Sequence, residues 1–254
     1  MIAIDLSKRI AVITGATGQL GRVMARTLAE CGADVAIHYR QNQDMARQLE
    51  TQVQAFGVRT TTVQADVAEL DSVMAMKDHV GSALGEPDII VNNAVVQYDW
   101  TTVLEQAPAD FESQFRTCVL HNVHMAKAFV PAMISNGRGR VVGINTECAM
   151  MCTANQGAYV SGKRGMDGVL RTLAAEVGKH EITVNQVAPG WTISDKDRGQ
   201  IVKRDGAYER QVPLGRRGTD QEIANVVAFL CSDLASFITG AYIPVCGGNV
   251  MPAI

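Results

Sequence analysis

The chain has 254 residues, 47% of them hydrophobic and 19% charged. That balance suits one globular domain with a sizeable core, and it excludes disorder, collagen and a disulfide miniprotein. Lys and Arg number 23 against 26 Asp and Glu, and the net charge of −3 offers no electrostatic footprint for nucleic acid or an anionic membrane. The six cysteines contain no Cys-x-x-Cys pair, Asp5, Lys8 and Arg9 fall where a secretory leader needs an apolar core, and no apolar run nears the roughly 18 residues of a membrane span. The expectation is a cytoplasmic protein with reduced thiols and no metal.

The first apolar run, residues 10–13, leads straight into Thr14-Gly15-Ala16-Thr17-Gly18-Gln19-Leu20-Gly21 and a helix over 19–31 that stops near Gly32. Small residues that turn a strand into a helix let backbone approach a ligand, and the free amides and positive dipole of the helix suit a pyrophosphate. The same glycines can serve the turn alone. A second run, 35–37, ends in His38-Tyr39-Arg40, where dinucleotide folds meet the adenosine ribose. No carboxylate is present there to accept from a free 2′-hydroxyl, and Arg40 can pair with a 2′-phosphate. NADP(H) is therefore favoured, with NAD(H) also allowed.

Helices over 42–56 and 69–84 then alternate with runs at 61–63 and 89–91, and Gly57 and Gly85 read as stops. A long helix over 111–135 ends near Gly137, the run 141–144 follows, and a helix over 157–178 stops near Gly178 before the run 182–184. Ser194 to Arg217 is a polar loop with a short helix, and a last helix spans 220–231. Continuous apolar runs indicate strands buried on both faces. Their alternation with helices predicts an α/β fold: one doubly wound, Rossmann-type domain over 1–254, a parallel sheet of about seven strands with helices on both faces, and the site at the strands' C-terminal ends.

Tyr159 and Lys163 stand four apart on a helix and share a face. An ammonium about 5 Å from a phenol lowers its pKa by about two units at an effective dielectric near 20, enough to prepare the pair for proton transfer at a carbonyl or alcohol oxygen. Any helix can carry such a pair by chance. His121 and His124 are spaced to share a metal but lack an evident third ligand.

In this order the features resemble the short-chain dehydrogenase/reductase family over nearly the whole chain. Residues 14–21 look like its TGxxxGxG turn, Asp66 like its adenine-contacting acid, Asn92-Asn93-Ala94 like most of NNAG, Tyr159 and Lys163 like YxxxK, Asn185 with Pro189-Gly190 like N-x-V-x-P-G, and Pro213-Leu214-Gly215-Arg216 with Gly247-Gly248 like its C-terminal end. The resemblance implies a nicotinamide cofactor and a catalytic tetrad of Asn, Ser, Tyr and Lys. Thr146 stands at the serine position and Cys118 at the asparagine position, with Asn122 one turn later able to compensate. Gln19 replaces the middle glycine of the turn and Val95 the glycine of NNAG.

It further implies cofactor contacts at Gly15, Thr17, Gln19, Leu20, Gly21, Tyr39, Arg40, Asp66, Val67, Asn93, Ala94, Tyr159, Lys163, Pro189, Gly190, Thr192 and Ser194. Gln97, Tyr98, Trp100, Glu147, Cys148 and Trp191 fall near the substrate, a lid spans about 191–217, and the long helices suggest a homotetramer or homodimer. The expected activity is hydride transfer between the nicotinamide and a secondary alcohol or ketone, a small polar or sugar-like molecule. The alternatives are a 3-oxoacyl thioester reductase, a cofactor-binding regulatory protein without turnover, and an assembly module.

Overall fold

The computed structural model describes residues 3–193 and 206–252. In chain order the elements are β1 (Ile10–Ile13), α1 (Gln19–Glu30), β2 (Asp34–Tyr39), α2 (Gln43–Gln54), β3 (Thr60–Gln64), α3 (Leu70–Ala83), β4 (Ile89–Asn92), α4 (Pro108–Gln114), a π-helical turn (Phe115–Leu120), α5 (His121–Asn136), β5 (Gly139–Ile144), α6 (Cys148–Met151), α7 (Gly157–Val177), β6 (Ile182–Pro189), α8 (Ala207–Gln211), α9 (Asp220–Cys231) and β7 (Tyr242–Val245). The strands form a seven-stranded parallel sheet in the order β3-β2-β1-β4-β5-β6-β7. The chain winds outward from β1 to β3, returns to β4 beside β1 and winds the other way. The loops after β1 and β4 therefore diverge and open a cleft between them.

Each strand divides its side chains between two cores. Ala11, Ile13, Ile89, Val91, Val142 and Ile144 join α1 and α9 in one, and Val12, Ile90 and Val141 join α3, α5 and α7 in the other. The central strands β5 and β6 are buried along their whole length, including the polar Arg140, Thr183, Asn185 and Gln186.

Three details depart from the sequence expectations. The helix expected over 111–135 is α4, the π-helical turn and α5 in succession, so Cys118 lies where the backbone spacing changes. The short helix α6 follows Thr146, where none was expected. Gly178 does not take a left-handed conformation (φ −55°); the chain continues through a 3₁₀ turn, Gly178–His180, and Glu181 at φ 60° makes the stop. Gly32, Gly57, Gly85 and Gly137 do have positive φ.

Candidate active site

Thr14 and Asn93 bind the two diverging loops together. The Thr14 hydroxyl accepts from the Asn93 and Ala94 amides at 2.9 and 3.1 Å, and the Asn93 amide nitrogen donates to the Thr14 and Gly15 carbonyls at 3.0 and 3.1 Å. Gly15 has φ +60°, and a Cβ there would lie 2.9 Å from the Cα of Ala94. On Gly21 a Cβ would lie 2.4 Å from the Gly15 carbonyl oxygen. Only glycines allow the first turn of α1 to pack so closely on this loop.

His38 completes the brace. Its Nδ1 accepts from the Gly15 N–H at 2.9 Å, so the proton sits on Nε2 and is donated to the Ala65 carbonyl at 3.0 Å. Burial pushes its pKa down to about 4 and keeps the ring neutral. Tyr39, expected at the cofactor, packs into the core instead and is absent from the cleft lining, because β2 alternates and turns His38 and Arg40 to the cleft.

The cleft has a volume of about 710 Å³. Gly15, Thr17, Gly18 and Leu20 line it together with Arg40, Asp66, Val67, Asn93 and Ala94. No side chain caps α1, whose N-cap is Gly18. Its first-turn amides thus have no side-chain acceptor and suit the diphosphate of a dinucleotide. Gln19 lines the cleft and donates from Nε2 to the Ile193 carbonyl beyond β6, tying its two sides together. Arg40 is exposed, and among the described residues its guanidinium forms no ion pair.

Beyond one end of the cleft β5 delivers Thr146 and α7 delivers Tyr159 and Lys163. Thr146 is 7% exposed, and its hydroxyl accepts from the Cys148 amide at 3.2 Å. Lys163 is 4% exposed, its Nζ donates to the Ile144 carbonyl at 2.7 Å, and it lies 5.8 Å from the Tyr159 ring centre. From the sequence, this ammonium is expected to lower the phenol pKa. In the folded chain burial dominates and raises it, with Cys148 and Cys118 pushing the same way and the Thr146 hydroxyl opposing. Burial also lowers the pKa of Lys163.

Cys118 is 1% exposed and offers its thiol to Gln114 Oε1 at 3.7 Å, a weak contact. Asn122 donates to the Cys118 carbonyl at 2.6 Å and accepts from Asn92 at 2.7 Å, so an amide does serve this turn, one helical turn from the expected position.

Several contacts around the reacting end have no sequence signal. The Tyr98 hydroxyl accepts from the Tyr159 backbone N–H at 2.6 Å, and Trp100 stacks on the Tyr159 ring with centres 6.0 Å apart. Tyr242 donates to the Thr146 carbonyl. The Tyr208 hydroxyl accepts from the Trp191 N–H at 2.8 Å and donates to Glu147 Oε1 at 2.8 Å, and Asn249 donates to Glu147 Oε2 at 3.0 Å. Gln97 lines the cleft, and Cys148 opens α6, where burial raises its thiol pKa. Pro189 and Gly190 bond to Glu147 and Val245 through the backbone, and Thr192 bridges to Gly218. Ser194 lies outside the described residues. Among those described, no three His, Cys, Asp or Glu side chains are grouped to hold a metal, and no helix is long and apolar enough to cross a membrane.

A family model described as Enoyl-(Acyl carrier protein) reductase matches residues 15–249. The chain belongs to the short-chain dehydrogenase/reductase family. It is similar to the 3-oxoacyl-[acyl-carrier-protein] reductases FabG of Staphylococcus epidermidis (34% identity, 95% of this chain and 98% of that one) and Escherichia coli K12 (35%, 96% and 98%). Among solved structures, NAD+-bound xylitol dehydrogenase matches with TM-score 0.87 and 28% identity over 96% of this chain and 99% of that one. Acetoin dehydrogenase YohF of Salmonella typhimurium matches with TM-score 0.85 and 28% identity over 95% and 96%. As a short-chain dehydrogenase/reductase the protein is an oxidoreductase.

Proposed function

We propose that the protein is a cytoplasmic, NADP(H)-preferring reductase of a small polar or sugar-like ketone, with Tyr159 as the acid and base. The observation that carries this is the half-buried Tyr159 ring 5.8 Å from the Lys163 ammonium, just past the cleft whose uncapped helix end and glycine cradle fit a dinucleotide. A bound nicotinamide supplies or accepts the hydride. The residues themselves handle the substrate oxygen and its proton. Thr146 orients the carbonyl oxygen, and the Tyr159 phenol hands it a proton. Burial keeps that phenol protonated at neutral pH, which suits reduction. Lys163 stabilises the phenolate left behind and holds the ribose. Cys118 leaves turnover intact, since Asn122 engages the backbone at that position.

Arg40 supports the choice of NADP(H), because a guanidinium with no carboxylate partner is free to take a 2′-phosphate. Pairing of long helices into a homotetramer or homodimer is supported by an apolar groove of about 700 Å³ between α5 and α7, lined by Val123, Ala126, Val130, Val169 and Leu173. The whole chain is read as one domain whose lid runs from about 191 to 217; residues 194–205 of it lie outside the described residues. A 3-oxoacyl thioester reductase is the second reading, favoured by the names of the FabG relatives.

Calorimetric titration with NADPH and NADH tests the cofactor reading directly. NADPH should bind more tightly, and Arg40→Asp should weaken it by about ten- to a hundredfold while sparing NADH. Equal binding of both removes the 2′-phosphate argument, and binding of neither removes the reductase reading. Comparing sugar-like ketones with an acetoacetyl thioester then separates the two substrates.

A further inference from the structure

We infer that Glu147 makes the substrate end selective for neutral polyhydroxylated compounds over anionic ones of the same size. The inference rests on the reading of Thr146 and Tyr159 as the reacting end. Glu147 follows Thr146 directly, is 4% exposed, and is fixed by its backbone N–H on the Pro189 carbonyl at 2.9 Å. Its carboxylate meets only neutral donors, the Tyr208 hydroxyl and the Asn249 amide, and among the described residues no cation pairs with it.

A buried carboxylate without a cation is unfavourable for folding alone, so its presence here calls for a role. The nearby cations are engaged elsewhere. Lys163 donates to the Ile144 carbonyl, and Arg217 lies 4.0 Å from Glu209 and 4.6 Å over the Trp191 ring. Each carboxylate oxygen accepts one hydrogen bond and has a second lone pair for a ligand hydroxyl. Tyr208 marks the geometry such a hydroxyl would use, since its own hydroxyl donates to Glu147 Oε1 at 2.8 Å.

The flanking side chains suit the rest of a polyol. Trp100 and Trp191 are 46% and 55% exposed, and their indole rings offer flat apolar surface to the C–H face of a sugar-like chain. A carboxylate on the ligand about 5–7 Å from Glu147 would weaken binding by about ten- to a hundredfold at an effective dielectric near 20.

The test is calorimetric titration of the NADPH-loaded protein with xylitol and with xylonate, which differ only in a terminal CH₂OH or carboxylate. Wild type should bind xylitol about tenfold or more tightly than xylonate, Glu147→Gln should shrink the gap below about threefold, and Glu147→Asp, which keeps the charge, should retain it. Equal wild-type affinities, no binding of either compound, or a gap that survives in Glu147→Gln would overturn the inference. Should Glu147→Gln fail to fold, Glu147→Ala, which also removes the charge, takes its place, and a gap that survives in it overturns the inference. Because binding is read without turnover, a parallel NADPH-oxidation assay with ketones and with Tyr159→Phe separates the outcomes: lost turnover with a Glu147-dependent gap defeats the reductase reading alone.

Discussion

The two sides of the site are built by different means. At the β1–β4 side, main-chain groups and short polar side chains bind adjacent strand ends: Thr14 to Asn93 and Ala94, Gly15 to His38, and Gly21 against the Gly15 carbonyl. At the β5–β7 side, long side chains bridge elements far apart in sequence, with Tyr208 reaching Glu147 across 61 positions, Tyr242 reaching Thr146 across 96, and Asn249 reaching Glu147 across 102. The first arrangement leaves little room for a different side chain at its glycines, because a Cβ meets backbone. The second can change partner with one substitution. A cradle for a common cofactor and a selector for a particular substrate have those respective needs.

The contrast can be broken first at the chemistry. Tyr159→Phe should lower kcat by about 10²- to 10⁴-fold while leaving NADPH affinity within about twofold, measured by steady-state assay and titration. Lost cofactor binding together with activity would assign Tyr159 to the cradle instead.

On the cradle side, Gly21→Ala puts a methyl 2.4 Å from a backbone oxygen. It should destabilise the protein by about 1–3 kcal/mol or more in chemical denaturation and weaken NADPH binding. An unchanged unfolding midpoint would show that α1 can shift freely.

The His38 brace gives that side a pH limit. An unfolded imidazole titrates near 6.5, whereas burial holds the folded one near 4. Between those values the unfolded chain takes up a proton that the native state refuses. The stability is therefore complete above pH 6.5 and falls as pH drops toward 4, by about 3 kcal/mol from this residue. His121, driven to about 3 mainly by burial, acts in the same direction. Unfolding free energies at pH 7.5 and 4.5 check this, and His38→Gln should flatten the slope; an equal slope in the variant would sink the assignment.

The smallest effect belongs to Cys118. With Asn122 on its carbonyl, Cys118→Asn should change turnover by less than about threefold, and a rise of orders of magnitude would show that the thiol impairs the enzyme.

Much of this was legible along the chain, because the signals were local. Apolar runs marked six of the seven strands, β7 having none, a glycine turn follows the first of them, and Tyr159 with Lys163 stands one helical turn apart. Tyr39 is expected at the cofactor from its place at the end of β2, yet His38 shares the cleft-facing side with Arg40. The π-helical turn escaped because hydrophobic spacing near 115–120 does not distinguish a bond to the fourth residue back from one to the fifth. From the sequence, Lys163 is expected to lower the pKa of the Tyr159 phenol, and it is desolvation in the folded chain, with Cys148 and Cys118 pushing the same way, that reverses the sign.

Sequence by itself determined the strand–helix alternation and the doubly wound parallel sheet, since periodicity and glycine placement act within a few residues; the strand order came from the fold. Tertiary structure decided the protonation of His38 and Tyr159 and the meeting of Glu147, Tyr208 and Asn249. Those depend on desolvation and on contacts between residues that the fold alone brings together, and neither is encoded in any local spacing.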